Sequence, residues 1–249
     1  MDCISYNNNF LKEVIARVDF KEEIASIRDE LPETLKEEFL SLLPVSEERQ
    51  RFSTEVKISA KQQAINTSKV SKEWLFHSIG RKTTAKLNSN FIALIYEKYE
   101  TFEILKEQFL HVLKSLYHSC EDLLGGRFGL RYINEIQVEN GDPLDLSKFL
   151  NKNLLYPIKK FPEHNKLSRL FHNSELNFGD HKMKIKFGIF NPDYPAIIKK
   201  KTYILDFDMF ILDDLTYSDI ETRLDSFHSK IQSTFEIFIT DNLRRVMNE

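Results

Sequence analysis

The sequence has few of the residues that build covalent or metal-based cross-links. Only two of its 249 residues are cysteine, Cys3 and Cys120, so a disulfide framework and the usual cysteine-rich zinc site are both excluded. Glycine and proline number seven each, which is too few for a collagen-like or low-complexity chain. A reducing compartment is the simplest setting, and a chain of this length can bury a full core without staples.

Long uncharged apolar stretches are also missing from the sequence. No segment approaches the roughly 18 apolar residues that a membrane-spanning helix needs. Residues 1–20 carry Asp2 near their start and have neither the basic region nor the apolar core of a secretory signal. We therefore expect a cytoplasmic protein.

Charge is nearly balanced overall but uneven along the chain. The 35 Lys and Arg residues against 38 Asp and Glu residues give a formal net charge of −3. Residues 21–50 contain nine acids and four bases, whereas 148–201 contain twelve bases and four acids. This asymmetry is typical of a folded protein with opposed surface faces, and a basic surface that meets an anionic partner is the alternative.

The hydrophobic pattern predicts alternating groups of strands and helices. Apolar residues at period two predict strands over 10–20, 52–65, 74–79, 82–87, 91–96, 130–138, 175–190 (a hairpin) and 203–211. Helical spacing predicts helices over 22–43 with a break at Pro32, over 101–124, over 145–155 and over 218–247. Ser218 and Glu221 are expected to form a capping box at the start of the last helix, and 156–173 is expected to be a loop.

These elements predict an α+β fold, with a mostly antiparallel sheet covered by two long helices. We interpret 1–249 as a single domain, with 21–50 as a helical appendage. The order of strands followed by a long helix occurs twice, and Phe109, Leu113 and Tyr117 recur 118 residues later as apolar or aromatic residues. Two related βα halves, 1–140 and 141–249, are therefore the alternative description.

Three segments together resemble a known family. They are the stretch 10–20, the stretch Gly129-Leu-Arg-Tyr-Ile-Asn134, and an ending that contains Leu205-Asp-Phe-Asp208 and Leu243-Arg-Arg-Val-Met247. In this order they resemble a sporadically distributed family of uncharacterised bacterial and archaeal proteins of about this length. The resemblance implies a single unit and a mobile genetic neighbourhood, such as a phage-defence or toxin–antitoxin locus, and it implies no activity.

The most specific of these segments also contains the first candidate site. Arg127 and Arg131 lie on the same side of their predicted strand, and Tyr132 and Asn134 follow directly. Two guanidinium groups on one face can hold a phosphate or a carboxylate, which makes these four residues a candidate ligand or anion site. The alternative is a ladder of ion pairs with acidic residues of neighbouring strands.

Other polar groups predict different chemistry. Asp206 and Asp208 lie on one face of a strand and could hold Mg²⁺ or Mn²⁺, although outward polar residues on a half-exposed strand give the same pattern. His228 lies beside an apolar helix stripe and is expected to be a packed core residue, and Cys120 is expected to be a buried, inert thiol. No other histidine or cysteine spacing suits a metal ion.

Lysines define the last candidate site. They are Lys182, Lys184, Lys186, Lys199, Lys200 and Lys201. Such a surface could neutralise phosphates of a nucleic acid, whereas lysines also commonly protect exposed strand edges.

The sequence contains no complete catalytic set, so the leading hypothesis is a non-enzymatic protein-interaction module that needs no cofactor. We expect a homodimer, or a hetero-complex with the product of a neighbouring gene in a defence or toxin–antitoxin locus. The alternatives are a nucleic-acid-binding protein that uses 156–201 and a metal-dependent hydrolase centred on Asp206 and Asp208.

Overall fold

Nine strands join edge to edge in one antiparallel sheet. The computed structural model describes residues 6–58, 64–120, 122–138, 145–160 and 162–249, and within these ranges the sheet is accompanied by five α-helices. In chain order the elements are β1 (Leu11–Phe20), α1 (Glu33–Leu42), β2 (Val45–Ile58), β3 (Ala64–His77), β4 (Thr83–Asn88), β5 (Phe91–Tyr96), α2 (Phe102–Ser119), β6 (Gly125–Val138), α3 (Lys152–Lys160), β7 (Leu170–Asn177), β8 (His181–Ile189), β9 (Lys201–Ile211), α4 (Tyr217–Phe238) and α5 (Asp241–Asn248). The α+β class and the antiparallel sheet expected from the sequence are confirmed.

The strand order places β1 and β6, each the first strand of a group, at the centre of the sheet. The order is β2-β3-β4-β5-β1-β6-β9-β8-β7. The central strands β1 and β6 pair with Ala16 opposite Leu130, and β6 pairs in turn with β9, where Leu130 faces Met209. Strands β2 and β7 form the two edges of the sheet.

Side-chain alternation divides the sheet into two chemically different faces. We call one the core face, because its residues, such as Val14, Ala16 and Leu130, are fully buried. They join buried side chains of all five described helices in one apolar cluster. Helices α2 and α4 meet on this face at Phe128, whose ring centroid lies 6.1 Å from that of Phe109 and 5.4 Å from that of Phe227.

The opposite face, which we call the open face, is protected by long cationic side chains. The guanidinium of Arg17 lies 3.9 Å from the ring centroid of Phe91. Arg127 and Lys184 cover Phe210 at 5.0 and 4.9 Å. Both rings are thereby buried although they belong to a different layer from the main cluster. Cations lying across aromatic rings keep this apolar surface out of water while their charges stay hydrated.

Several helix boundaries differ from the sequence prediction. The last predicted helix is two helices, because Ile239 adopts an extended conformation and forms a β-bridge with Leu150. Thr240 then caps α5 by accepting a hydrogen bond from the amide of Leu243. An unbroken apolar stripe cannot reveal such a break, because both helices bury the same face.

Other helix boundaries also differ from the sequence prediction, because local caps and turns determine where each helix begins and ends. The capping box is formed by Thr216 and Asp219, not by Ser218 and Glu221. Helix α2 ends at Ser119, and the chain turns at Asp122 with φ 57° before Gly125 and Gly126, which open β6. The helix expected over 145–155 begins only at residue 152, and the expected loop over 156–173 contains the end of α3 and the start of β7.

Candidate functional site

Arg131 and Asp206 form a two-point ion pair across β6 and β9 on the open face. Nε and Nη2 of Arg131 each donate to one oxygen of Asp206 at 2.7 Å. Asp206 is only 5% exposed, so its carboxylate depends on this partner for the hydrogen bonds that water would otherwise supply. The same hydrogen bonds raise the pKa of Arg131 above its usual value.

Arg127 forms a second, looser ion pair beside the first. Its Nη2 lies 3.2 and 3.3 Å from the two oxygens of Asp208, and its Nη1 lies 3.6 Å from Asp19. Gly129 creates the room for this guanidinium, because a Cβ at that position would lie 2.7 Å from Arg127 Nη1. The glycine in the most specific sequence segment therefore serves the packing of its neighbouring arginine.

Together these contacts form a ladder of ion pairs across three strands. We call Arg127, Arg131, Asp19, Asp206 and Asp208 the ion-pair ladder. Each arginine of the ladder already contacts a carboxylate, and both acids of the candidate metal pair already contact a guanidinium. Among the described residues, no group of three or more His, Cys, Asp or Glu side chains is arranged to hold a metal ion.

Tyr132 and Asn134 lie on the core face, away from the two arginines. Strand alternation separates them, because odd-numbered residues of β6 point to the open face and even-numbered ones to the core. Asn134 is buried and its side-chain amide donates to the carbonyl of Leu205 at 3.3 Å. The four residues of the candidate ligand site are therefore divided between two different environments.

Tyr132 opens onto a cavity at one end of the helical layer, which we call the end pocket. The cavity has a volume of ≈ 180 Å³ and lies between the N-terminal segment, the start of α2 and the second half of α4. The hydroxyl of Tyr132 lies 2.9 Å from Nδ1 of His228 and 3.3 Å from the hydroxyl of Tyr99. This chain of polar groups lies in a wall that also contains several aromatic rings.

His228 is a neutral imidazole in this setting. Its ring stacks on Phe102 with centroids 3.9 Å apart and planes 4° from parallel. Burial lowers the pKa of His228 to about 4, against an opposing effect of the nearby acids Glu103 and Asp225. The expectation of a packed, hydrogen-bonded histidine agrees with this environment.

The candidate lysines are spread over two separate parts of the surface. Lys182 and Lys184 lie 3.2 and 3.7 Å from the carboxylate of Glu175, which neutralises part of their charge. Lys186 is exposed on the same strand, whereas Lys199 and Lys200 are exposed just before β9. The side chain of Lys201 lies outside the described residues. Cys120 is half-buried, and burial raises the pKa of its thiol.

The edge strand β7 was not singled out by the sequence. Its residues 173–177 are all exposed, and Phe171 and Leu176 are each 43% exposed. They lie on opposite faces of the sheet, so the strand presents apolar groups on both sides of its unpaired edge. The exposed Phe178 directly follows the strand, and Tyr194 and Ile197 belong to the segment after β8. The alternating pattern predicted a strand here, but its position in the sheet depends on pairings that sequence periodicity does not encode.

Comparison with known proteins leaves these sites to be interpreted from their own chemistry. No known protein-family model matches the chain, and no curated protein matches its sequence. None of the described helices is long and apolar enough to cross a membrane.

Proposed function

We propose that this protein is a non-enzymatic interaction module whose partner is a second copy of the chain, added at the edge strand β7. The observation that carries the proposal is the exposed edge of β7, which bears Phe171 and Leu176 and has no second neighbouring strand among the described residues. An unpaired edge offers a row of backbone donors and acceptors that another strand can satisfy.

The edge lacks the features that normally prevent strand addition. Residues 170–177 include no lysine, arginine or proline, and their one acidic residue, Glu175, is paired with Lys182 and Lys184 of β8. The pairing of β7 with β8 runs without a register shift from Leu170 opposite Ile189 to Asn177 opposite Lys182. Charged edge residues, prolines and bulges are the usual means of keeping such a strand monomeric, so this strand is suited to pairing.

Backbone geometry identifies the groups that point outward. The amide of Phe178 donates to the carbonyl of His181 at the end of the β7–β8 hairpin. Hydrogen-bonded positions alternate along an antiparallel pair, so even-numbered residues of β7 bond to β8. The amides and carbonyls of Phe171, Asn173 and Glu175 therefore face outward.

The side chains favour one register for two copies related by a twofold axis. If Asn173 lies opposite Asn173 of the second copy, Phe171 and Glu175 occupy mutually hydrogen-bonded positions. The same register places Leu170 opposite Leu176 of the second copy, on the core face, twice per dimer. Apolar pairs at these positions extend the core across the interface. They favour this register over one in which the twofold axis passes through a residue next to Asn173.

Light scattering after size-exclusion chromatography tests the proposal. We expect a particle of twice the chain mass at micromolar concentration. Asn173→Pro removes an outward amide without touching a bond to β8 and eliminates two symmetric hydrogen bonds, which weakens association roughly thirtyfold. Asn173→Ala keeps the amide and is the matched control.

A second pair of variants tests the side-chain contribution. Leu176→Lys places a charge on the edge and should yield a monomer, whereas Ile79→Lys, at a position 86% exposed elsewhere, should leave the dimer intact. A monomeric parent protein, or a dimer unaffected by both Asn173→Pro and Leu176→Lys, contradicts the proposal. A complex only with the product of a neighbouring gene would replace the second copy as the partner.

The nucleic-acid function is the second candidate, supported by exposed lysines. Lys186, Lys199 and Lys200 keep their charges at the surface, and phosphates could replace Glu175 as the partner of Lys182. A mobility shift measured at low and high salt tests it. Binding that does not change when Lys182, Lys184 and Lys186 become Glu excludes this use of the strand.

We also propose that the chain consists of two related βα halves whose long helices, α2 and α4, cover the same face. The strand order supports it: counted outward from the β1–β6 pair, β5, β4 and β3 correspond to β9, β8 and β7. In chain order, β1–β5 are followed directly by α2 and β6–β9 are followed directly by α4, so this division begins the second half at β6 and not at residue 141. An experimental structure in which the two helices lie on different faces contradicts this description.

A further inference from the structure

The end pocket is walled largely by aromatic rings. Tyr6, Tyr99, Phe102, Tyr132 and Phe235 all line it. The rings of Tyr99 and Tyr132 meet edge to face, with centroids 5.6 Å apart and planes at 75°. Several aromatic rings thus surround one small volume. The faces of such rings attract a cation that has lost part of its hydration shell.

The charged side chains that line the pocket are of one sign. Three glutamates, Glu100, Glu103 and Glu236, are among the described lining residues, and no lysine or arginine is among them. Glu236 is already satisfied, because it accepts hydrogen bonds from Tyr6 at 2.6 Å and from Arg244 at 2.7 Å. Glu100 and Glu103 are exposed at the mouth. An anionic ligand would meet these carboxylates with no cation to receive it.

Two other groups near the pocket do not reverse this sign. The first turn of α2 carries a partial positive charge of about half an elementary charge, and Glu103 in that turn offsets it. His228 is neutral near pH 7, because burial lowers its pKa to about 4. The potential in the pocket is therefore set by the glutamates at its mouth.

The size of the cavity limits the ligand to a small group. Its ≈ 180 Å³ slightly exceeds the roughly 150 Å³ of an engineered apolar cavity that holds benzene. The hydroxyls of Tyr99 and Tyr132, which lie 3.3 Å apart, belong to residues that line this space.

We propose that the end pocket binds a small organic cation, an alkylated ammonium group inserted among the aromatic rings beneath Glu100 and Glu103. The site is separate from the β7 edge and does not depend on the dimer. The aromatic rings supply contact area and cation–π attraction, and the glutamates select for positive charge.

Binding of three isosteric probes tests the charge preference. Choline, the uncharged 3,3-dimethyl-1-butanol and the anionic 3,3-dimethylbutanoate share one branched shape and differ in charge. Methionine methyl groups labelled with ¹³C report the site, because Met247 lines the pocket and Met183 lies in the core away from it. We expect choline to shift the Met247 signal alone, and to bind roughly two- to thirtyfold more tightly than the neutral probe.

Charge variants separate the role of the mouth from folding. Glu100→Gln with Glu103→Gln should weaken choline severalfold and leave 3,3-dimethyl-1-butanol unchanged. Glu107→Gln, on an exposed residue one turn further along α2, should change neither. Equal binding of charged and neutral probes, the same loss in the double variant and in Glu107→Gln, or a Met247 signal that no probe shifts would overturn the proposal.

Discussion

Removal of Arg131 should destabilise the fold more than removal of any exposed cation, because it isolates a buried carboxylate. Asp206 is 5% exposed and makes both of its short hydrogen bonds, at 2.7 Å, to this one guanidinium. Breaking a fully buried pair from one side costs about 3–5 kcal/mol, whereas exposed pairs contribute about 0–1 kcal/mol. The Arg131 side chain is 35% exposed, so we expect Arg131→Met to lower the free energy of unfolding by about 2–4 kcal/mol, between these limits.

Urea denaturation followed by the fluorescence of Trp74, the single tryptophan, measures this cost. In thermal unfolding, a loss of about 3 kcal/mol corresponds to a fall in Tm of roughly 6–12 °C for a chain of this size. Lys106→Met is the matched control, since its partner Asp225 is 55% exposed, and it should cost less than about 1 kcal/mol.

A double-mutant cycle separates the buried charge from lost packing. The variant that combines Arg131→Met with Asp206→Leu removes both charges and should recover most of the loss. If Arg131→Met costs no more than Lys106→Met, or if Asp206→Leu gives no recovery, the argument from the buried carboxylate is refuted.

Two further predictions concern a buried base and a close backbone contact. The pKa of His228 is about 4 in the folded chain and about 6.5 in the unfolded chain, so the unfolded chain takes up a proton on this imidazole at a higher pH than the folded chain does. The free energy of unfolding should therefore fall by about 3 kcal/mol as the pH drops from 6.5 to 4. Urea titrations across this range should show the slope in the parent protein and a smaller slope in His228→Asn; equal slopes contradict the assignment. Gly188→Ala would place a Cβ 2.0 Å from the carbonyl oxygen of Leu170, so it should push β7 away from β8 and lower the free energy of unfolding by about 1–3 kcal/mol, as overpacking does. Gly80→Ala, with open space around it, should leave the Tm unchanged. Equal Tm values for the two variants would count against the close contact.

The sequence predicted strands best where one face is buried. The strands expected over 74–79, 82–87, 91–96 and 203–211 overlap β3, β4, β5 and β9. In β9, Leu205, Phe207 and Met209 alternate with polar residues against a single core, whereas residues 91–96 form a short run that is apolar throughout. The long helix over 101–124 was found for the same reason, since its apolar stripe packs on that core. Its end was wrong, because α2 ends at Ser119 and Asp122 then turns the chain in the left-handed conformation.

The sequence predicted the relative positions of candidate-site residues only within a single strand. Alternation placed Arg127 and Arg131 on one face, and the same rule separates them from Tyr132 and Asn134. Pairing Arg131 with Asp206 requires β6 to lie beside β9, and this adjacency depends on long-range strand order. The end pocket likewise combines residues from both ends of the chain, which no local period brings together.

Amide hydrogen exchange along β7 tests the proposed strand addition most directly. The amides of Phe171, Asn173 and Glu175 should exchange rapidly in dilute solution and become protected as the protein concentration rises. The amides of His172 and Ser174, which bond to β8, should be protected throughout. Outward amides that exchange at the same fast rate at every concentration, in a protein that is nonetheless dimeric, would contradict pairing through this edge.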